Sequence, residues 1–239
     1  MKENRINYSS MSEVFELLKH HRVNYAILRN YDNLLDDEIY MGGHGDVDLI
    51  CEDSTVFAKV LNAQPHDFHV KNGKSDGTHY YIYIQNNYVS LDLRHIGDGY
   101  YCEKWEKQML ARKIIHNGFY ILNESDYFFT LIYHAIYQKP SLTIEYRDRL
   151  TAMAKNLNLD GGTGSSQDFI TLLENYMRHN NYRYQYPKDK YVTFNKKNIQ
   201  DKSLLDFHFK EYFKNTVLHS KIAIISFLVK TKHCLFKKN

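Results

Sequence analysis

Apolar residues at positions 11, 14, 15, 17 and 18 fall on one side of a 3.6-residue period, which predicts an amphipathic helix from Met11 to Arg22 with Ser10 or Ser12 as its N-cap. Asn24 to Arg29 is a short apolar run and reads as the first strand. Polar, acidic and then glycine-rich residues from 31 to 45 lead to a second strand over Asp46 to Cys51, and a helix is expected from about 53 to 62. Tyr80 to Ile84 and Tyr88 to Leu93 are rich in aromatic and β-branched residues and flank Gln85-Asn86-Asn87, the pattern of a hairpin. From about residue 103 the pattern becomes helical. Glu103 to Lys113, Ser125 to Gln138, Thr143 to Leu157 and Gln167 to His179 carry helical spacing, with one extended piece at His116 to Leu122. Gly161 to Ser166 follows a helix and reads as a linker. The order of elements predicts an α+β protein: a mixed sheet with flanking helices, then a helical part.

The 239 residues suffice for one large domain or two small ones, and 43% hydrophobic with 25% charged residues is ordinary globular composition. A net charge of +3 is too small to favour nucleic acid as a partner. Cys51, Cys102 and Cys234 form no CxxC pair, so the sequence indicates neither a zinc site nor a disulfide framework. The polar residues 1–5 have no signal-peptide core, and a cytoplasmic protein is expected. His219 to Leu235 is apolar and carries lysines at 221, 230 and 232, with Lys237 and Lys238 beyond it. Its uncharged stretch is too short to span a bilayer. Two readings stay open: a basic helix lying on the inner leaflet of a membrane, or a last helix packed on the domain with its lysines in water.

The chemistry is concentrated in two apolar runs, Gly45-Asp46-Val47-Asp48-Leu49-Ile50 and Val89-Ser90-Leu91-Asp92-Leu93. Carboxylates within buried strands are costly unless their charge is compensated. Asp46 and Asp48 are two apart and share a strand face. If Asp92 lies beside them, three carboxylates converge on one sheet edge and make an oxygen site for a hard divalent cation, Mg2+ or Mn2+. Arg94 shares a strand face with Asp92 and is either a phosphate ligand or an ion-pair partner. Asp98 is either a fourth acid or a turn residue, the turn being favoured. His134, on an otherwise apolar helix, reads first as a core histidine, yet Lys139, Glu145-Tyr146-Arg147 and Arg149 follow and suit a cationic wall across a cleft. The chain contains no GxxxxGK[ST] loop, no GxGxxG after a strand and no HExxH.

The Asp46–Asp48 pair with a third acid on a later strand resembles the nucleotidyltransferase superfamily, with its polymerase-β-like palm. Over about residues 20 to 150, "YAILRNYDNL", "GDVDLI", "LDLRHIGDGYYCEKWEKQML" and "YFFTLIYHAIYQK" look like nucleotidyltransferase-like proteins of bacterial surface-polysaccharide clusters. A more distant likeness is to fukutin-type and choline-phosphate transferases, which move a phospho-alcohol from a CDP-linked donor to a sugar. The chain departs from the superfamily at one place: Leu28-Arg29-Asn30-Tyr31 stands where the usual Gly-Ser pair follows the first strand. Arg29 could take over phosphate binding as a forked donor, and the Gly42-Gly43-His44-Gly45 loop could offer backbone N–H groups to an anion.

The resemblance implies a catalytic α/β domain over residues 1–115 and a mainly helical domain over 116–239. It implies metal-dependent transfer of a nucleotidyl or substituted phosphoryl group from a nucleotide or nucleotide-linked donor to a sugar or lipid-linked glycan. Asp46, Asp48 and Asp92 would be the catalytic, metal-holding acids. Asp92 would hold a second metal or act as base. Arg29, Asn30, His44, Arg94, Lys139 and Arg147 would bind substrate. The competing reading is a binding or partner protein that keeps the fold without the chemistry.

Overall fold

The computed structural model describes residues 6–36, 46–66, 77–159, 164–189 and 192–206. His44 and its glycine loop, residues 160–163 of the linker and the basic apolar run from 219 onward lie outside the described residues.

The sheet is mixed, and across it run, in order, β1 (Asn7–Tyr8), β5 (His79–Ile84), β6 (Asn87–His95), β3 (Val47–Cys51), β2 (Tyr25–Ile27), β8 (Phe119–Ile121) and β7 (Ile114–His116). Its centre is β2 (Tyr25–Ile27), β3 (Val47–Cys51) and β6 (Asn87–His95). β2 and β3 are antiparallel, and β3 and β6 are parallel. β5 (His79–Ile84) returns antiparallel to β6 through a two-residue turn, Gln85–Asn86, with φ of 49° and 64°. Both residues are left-handed, the geometry whose twist matches a tight hairpin. Two short strands border β5, namely β1 (Asn7–Tyr8), parallel to it, and β4 (Gln64–Pro65), antiparallel.

The extended piece expected near residue 116 is itself a hairpin, β7 (Ile114–His116) and β8 (Phe119–Ile121), turning at Asn117-Gly118 with φ of 47° and 93°. β8 joins β2 in parallel, so the sheet continues past residue 115.

Alternation along the strands divides the core in two. Val47, Leu49, Leu91 and Leu93 face a lower layer formed by α1 (Met11–His20) and α2 (Ser54–Val60). Ser10 caps α1, its hydroxyl accepting the Glu13 N–H at 3.2 Å. Ala26, Leu28 and Ile50 face the upper layer, built from α3 (Glu103–Arg112), α4 (Glu124–Tyr133), α5 (Ile144–Asn156) and α6 (Ser166–Asn180). Helices therefore cover both faces, the α+β arrangement the sequence predicts. None of the described helices is long and apolar enough to cross a membrane.

Asp126 ties the upper helices together. Its buried carboxylate accepts from the Trp105 indole at 3.2 Å, from Arg112 Nε and Nη2 at 3.1 and 2.7 Å, and from the Tyr176 hydroxyl at 2.9 Å. Three helices thus share one anion. Replacing Asp126 with Ala should lower the unfolding free energy by about 3 kcal/mol, the low end for a broken buried pair, because Arg112 is 40% exposed and can regain water. Urea titration of the two proteins measures it.

Candidate active site

Parallel pairing sets Asp48 of β3 opposite Asp92 of β6. Neighbouring strands lie about 4.8 Å apart, so the two carboxylates sit side by side on the upper face of the sheet. Asp46 is exposed at the head of β3. All three acids line a cleft of about 480 Å³ between the sheet and the upper helices.

Buried guanidinium groups compensate the two acids inside the strands. Arg29 leaves the end of β2, 7% exposed, and donates to Asp48 Oδ1 at 2.5 Å. Arg94, 4% exposed and two residues beyond Asp92 on the same face, donates through Nη2 to Asp92 Oδ2 at 3.0 Å. Asp92 Oδ1 lies 2.8 Å from the same nitrogen but off the hydrogen-bond direction, and it has no aligned donor among the described residues. Arg94 Nη1 reaches Asp189 at 3.2 Å, and the guanidinium stacks over Tyr100, 4.3 Å from its ring centre. Burial pushes the Asp48 pKa up; Arg29 opposes this and the neighbouring Asp92 adds to it.

Asp48 and Asp92 fit a hard divalent cation. Their ligand atoms are carboxylate oxygens, each retains lone pairs beyond its arginine bond, and Asp92 Oδ1 is buried without an aligned donor. Among the described residues no three His, Cys, Asp or Glu side chains already surround one point, so the exposed Asp46 would have to complete the set.

Of the other residues singled out in the sequence, Arg29, Asn30, Arg94 and Lys139 line the cleft. Asn30 has φ of 56° and accepts from Arg149 Nη1 at 3.2 Å. Arg147 is not brought to the cleft. It lies on the exposed side of α5, its side chain toward Gly164, while Tyr146 of the same helix lines the cleft. The cleft also takes His79, Tyr100, His134, Gln138, Asp189 and Thr193. Gln138 had a signal, being four residues from His134 on the same helix. Asp189 had none, since it lies in a polar aromatic stretch without a period.

The turn after β6 fixes Tyr100. Asp98 accepts the His95 and Tyr100 N–H groups at 3.3 and 2.7 Å, and Glu106 of α3 accepts those of Gly97 and Tyr101 at 2.7 and 3.2 Å. Asp98 is therefore a turn residue. Burial and the neighbouring Asp98 push the Glu106 pKa up to about 8. Lys188 Nζ donates to Gly97 O at 2.7 Å and draws the segment bearing Asp189 onto this turn.

No family model matches the sequence, and no curated protein matches it. A crystal structure described as an antigenic nucleotidyltransferase-like protein from Paracoccidioides brasiliensis aligns over 70% of this chain and 85% of its own, at 15% identity and a TM-score of 0.38. A likeness at that level assigns neither family nor activity.

The geometry makes two predictions about stability. Asp48→Asn should destabilise the protein by about 3 kcal/mol, because it leaves the Arg29 charge buried and unpaired, whereas Asp46→Asn should stay within about 0.5 kcal/mol. Arg29→Met combined with Asp48→Asn should recover most of the loss, as read by urea unfolding. The second prediction concerns pH. Glu106 binds its proton more tightly when folded, so its contribution is full below its ordinary value of 4.5 and declines as pH rises toward about 8. Unfolding free energies at pH 5 and pH 8 should fall less in Glu106→Gln than in the wild type.

Proposed function

We propose that this protein is a metal-dependent nucleotidyl- or substituted-phosphoryl-group transferase of the nucleotidyltransferase superfamily, acting on a sugar or lipid-linked glycan in bacterial surface-polysaccharide assembly. The observation that carries the reading is the in-register pairing of Asp48 with Asp92 beside Asp46 in a cleft that also holds Arg29, Arg94 and Lys139. The motifs over residues 20 to 150 supply the polysaccharide setting. Mg2+ or Mn2+, held by Asp46, Asp48 and Asp92, would neutralise the donor phosphates and hold the attacking and leaving oxygens in line.

The chain's own groups do the rest. Lys139 offers a mobile point charge to a phosphate at the cleft wall. Arg94 Nε is buried without a partner among the described residues and has a donor to give. Arg29 and Arg94 hold the carboxylates in place, so little reorganisation is needed when charge develops in the cleft.

One observation favours a second reading, a non-catalytic binding protein on the same fold. Asp48 and Asp92 are already neutralised by arginine and are stable without metal. The readings separate in a thermal-shift screen of nucleoside triphosphates and CDP- and UDP-linked donors, with and without Mg2+ or Mn2+, followed by mass spectrometry of products. The transferase reading expects a metal-dependent rise in Tm with a nucleotide donor, a transferred product with an added glycan, and loss of both in Asp46→Asn at unchanged Tm of the ligand-free protein. Nucleotide binding indifferent to metal, with no product, would leave the binding reading standing.

A further inference from the structure

The upper face of the sheet does not end at the cleft. Tyr80, Ile82, Ile84, Val89, Leu91 and Leu93 point into the lower core, so the alternate residues of β5 and β6 stand on the face that carries Asp92. Antiparallel register sets them in three rungs: His79 opposite Asp92, Tyr81 opposite Ser90, and Tyr83 opposite Tyr88. The first rung lines the cleft. The other two follow it at steps of about 7 Å along the strands. The core under the upper helices takes in Ala26 of β2 and Ile50 of β3 but, among the described residues, no side chain of β5 or β6. Tyr81, Tyr83 and Ser90 are partly exposed, and Tyr88 is 47% exposed.

The two outer rungs form one aromatic cluster with His66, the residue after β4. The Tyr81 and Tyr88 rings lie 4.9 Å apart at 30°, and Tyr83 meets Tyr81 edge-on at 5.6 Å. The His66 ring is edge-on to Tyr81 and to Tyr88, 5.4 Å from each. Its nitrogens bond the Tyr88 hydroxyl at 2.7 Å and lie 3.2 Å from Ser90 Oγ. These contacts hold the rings in fixed orientations before any ligand arrives. A sheet face open to water is ordinarily polar. Three tyrosines on neighbouring rungs leave ring surface in water instead, and the surface is continuous with the carboxylates.

Among the described residues the two outer rungs carry no carboxylate, lysine or arginine, and the bordering strands add only Asn7, opposite Tyr83, and Gln64, opposite Tyr81. A phosphate or an acidic chain finds no counter-charge there. A purely apolar partner would take the hydroxyl and amide groups out of water without bonding them. A pyranose ring has a C–H face that lies on an aromatic ring and hydroxyls around its edge that meet polar groups beside it. We propose that Tyr81, Tyr83 and Tyr88, with His66 and Ser90, form a stacking strip for a neutral glycan whose end unit reaches the carboxylate cleft along the rungs. The strip deepens the transferase reading, on which it rests: the acceptor would be an oligosaccharide, held through units that do not react. These are binding residues and take no part in the chemistry.

Binding is measured on the full chain without metal or nucleotide, so a failure here is separate from a failure of the donor screen. Maltotetraose, cellotetraose and chitotetraose are the neutral probes, tetragalacturonate the charged one, and methyl α-D-glucopyranoside the single unit. At least one neutral tetrasaccharide should bind saturably by calorimetry, about tenfold or more tighter than the single unit. Saturating the tyrosine ring protons should pass magnetisation to the C–H protons of that probe in NMR. Tyr88→Ala should weaken its binding about tenfold, whereas Tyr88→Phe, which keeps the ring, should stay within about threefold. Both variants should match the wild-type Tm, because Tyr88 is half exposed. Tyr83→Ala replaces Tyr88→Ala should the latter fail to fold. Absence of binding by every neutral tetrasaccharide, no transfer from the tyrosine rings, equal binding by wild type and the alanine variant, or tighter binding of tetragalacturonate would overturn the inference.

Discussion

Two carboxylate–guanidinium pairs lie side by side under the upper helices, and the architecture around them follows from the need to keep both intact. Asp48 and Asp92 are adjacent across a parallel pair of strands, where unpaired charges would repel and desolvation would penalise each. Arg29 and Arg94 make the arrangement tolerable. Breaking either pair strands a buried ion, so the register of β3 against β6 is fixed by charge as well as by the apolar residues between. A slip of one residue would turn Asp48 into the lower core among Val47, Leu49 and Leu91.

The polar cluster is extended in steps from these pairs. Arg94 binds Asp189, and the Asp189 segment is drawn in by Lys188 on the Gly97 carbonyl. The same segment runs on through Asn195 and Asn198, which hold the π-turn, His134–Gln138, that continues α4. Sheet, turn and helical wall are thus linked through one stretch with little regular structure of its own. The turn at Asp98 closes the opposite side, where Asp98 and Glu106 hold the backbone that carries Tyr100 under Arg94. Most of the side chains that line the cavity are charged or polar.

The sequence disclosed most of the elements and part of the cleft. The 3.6-residue period of Met11 to Leu18 and the aromatic alternation of β5 and β6 are local patterns, and the elements follow them closely. The Asn117-Gly118 turn is also a local signal, but the apolar runs on either side are only three residues long and do not stand out as strands. The acids on β3 and β6 stood out because charge is rare in apolar strands. Arg147 is close to Lys139 in sequence, but its position on α5 carries it away from the cleft and leaves Tyr146 there instead.

What the sequence determined by itself was therefore periodic: where helices and strands run, which strand faces carry acid, and that three carboxylates recur at spacings a shared site requires. What only the tertiary structure decided was partnership. Arg29 and Asp48 are nineteen residues apart, Arg94 and Asp189 ninety-five, and Tyr137 and Asn195 fifty-eight, and no local pattern records such pairs. An ion pair or hydrogen bond depends on a few ångströms of separation and on exclusion of water. Both are properties of the packed layers, and neither is written in the spacing of residues along the chain.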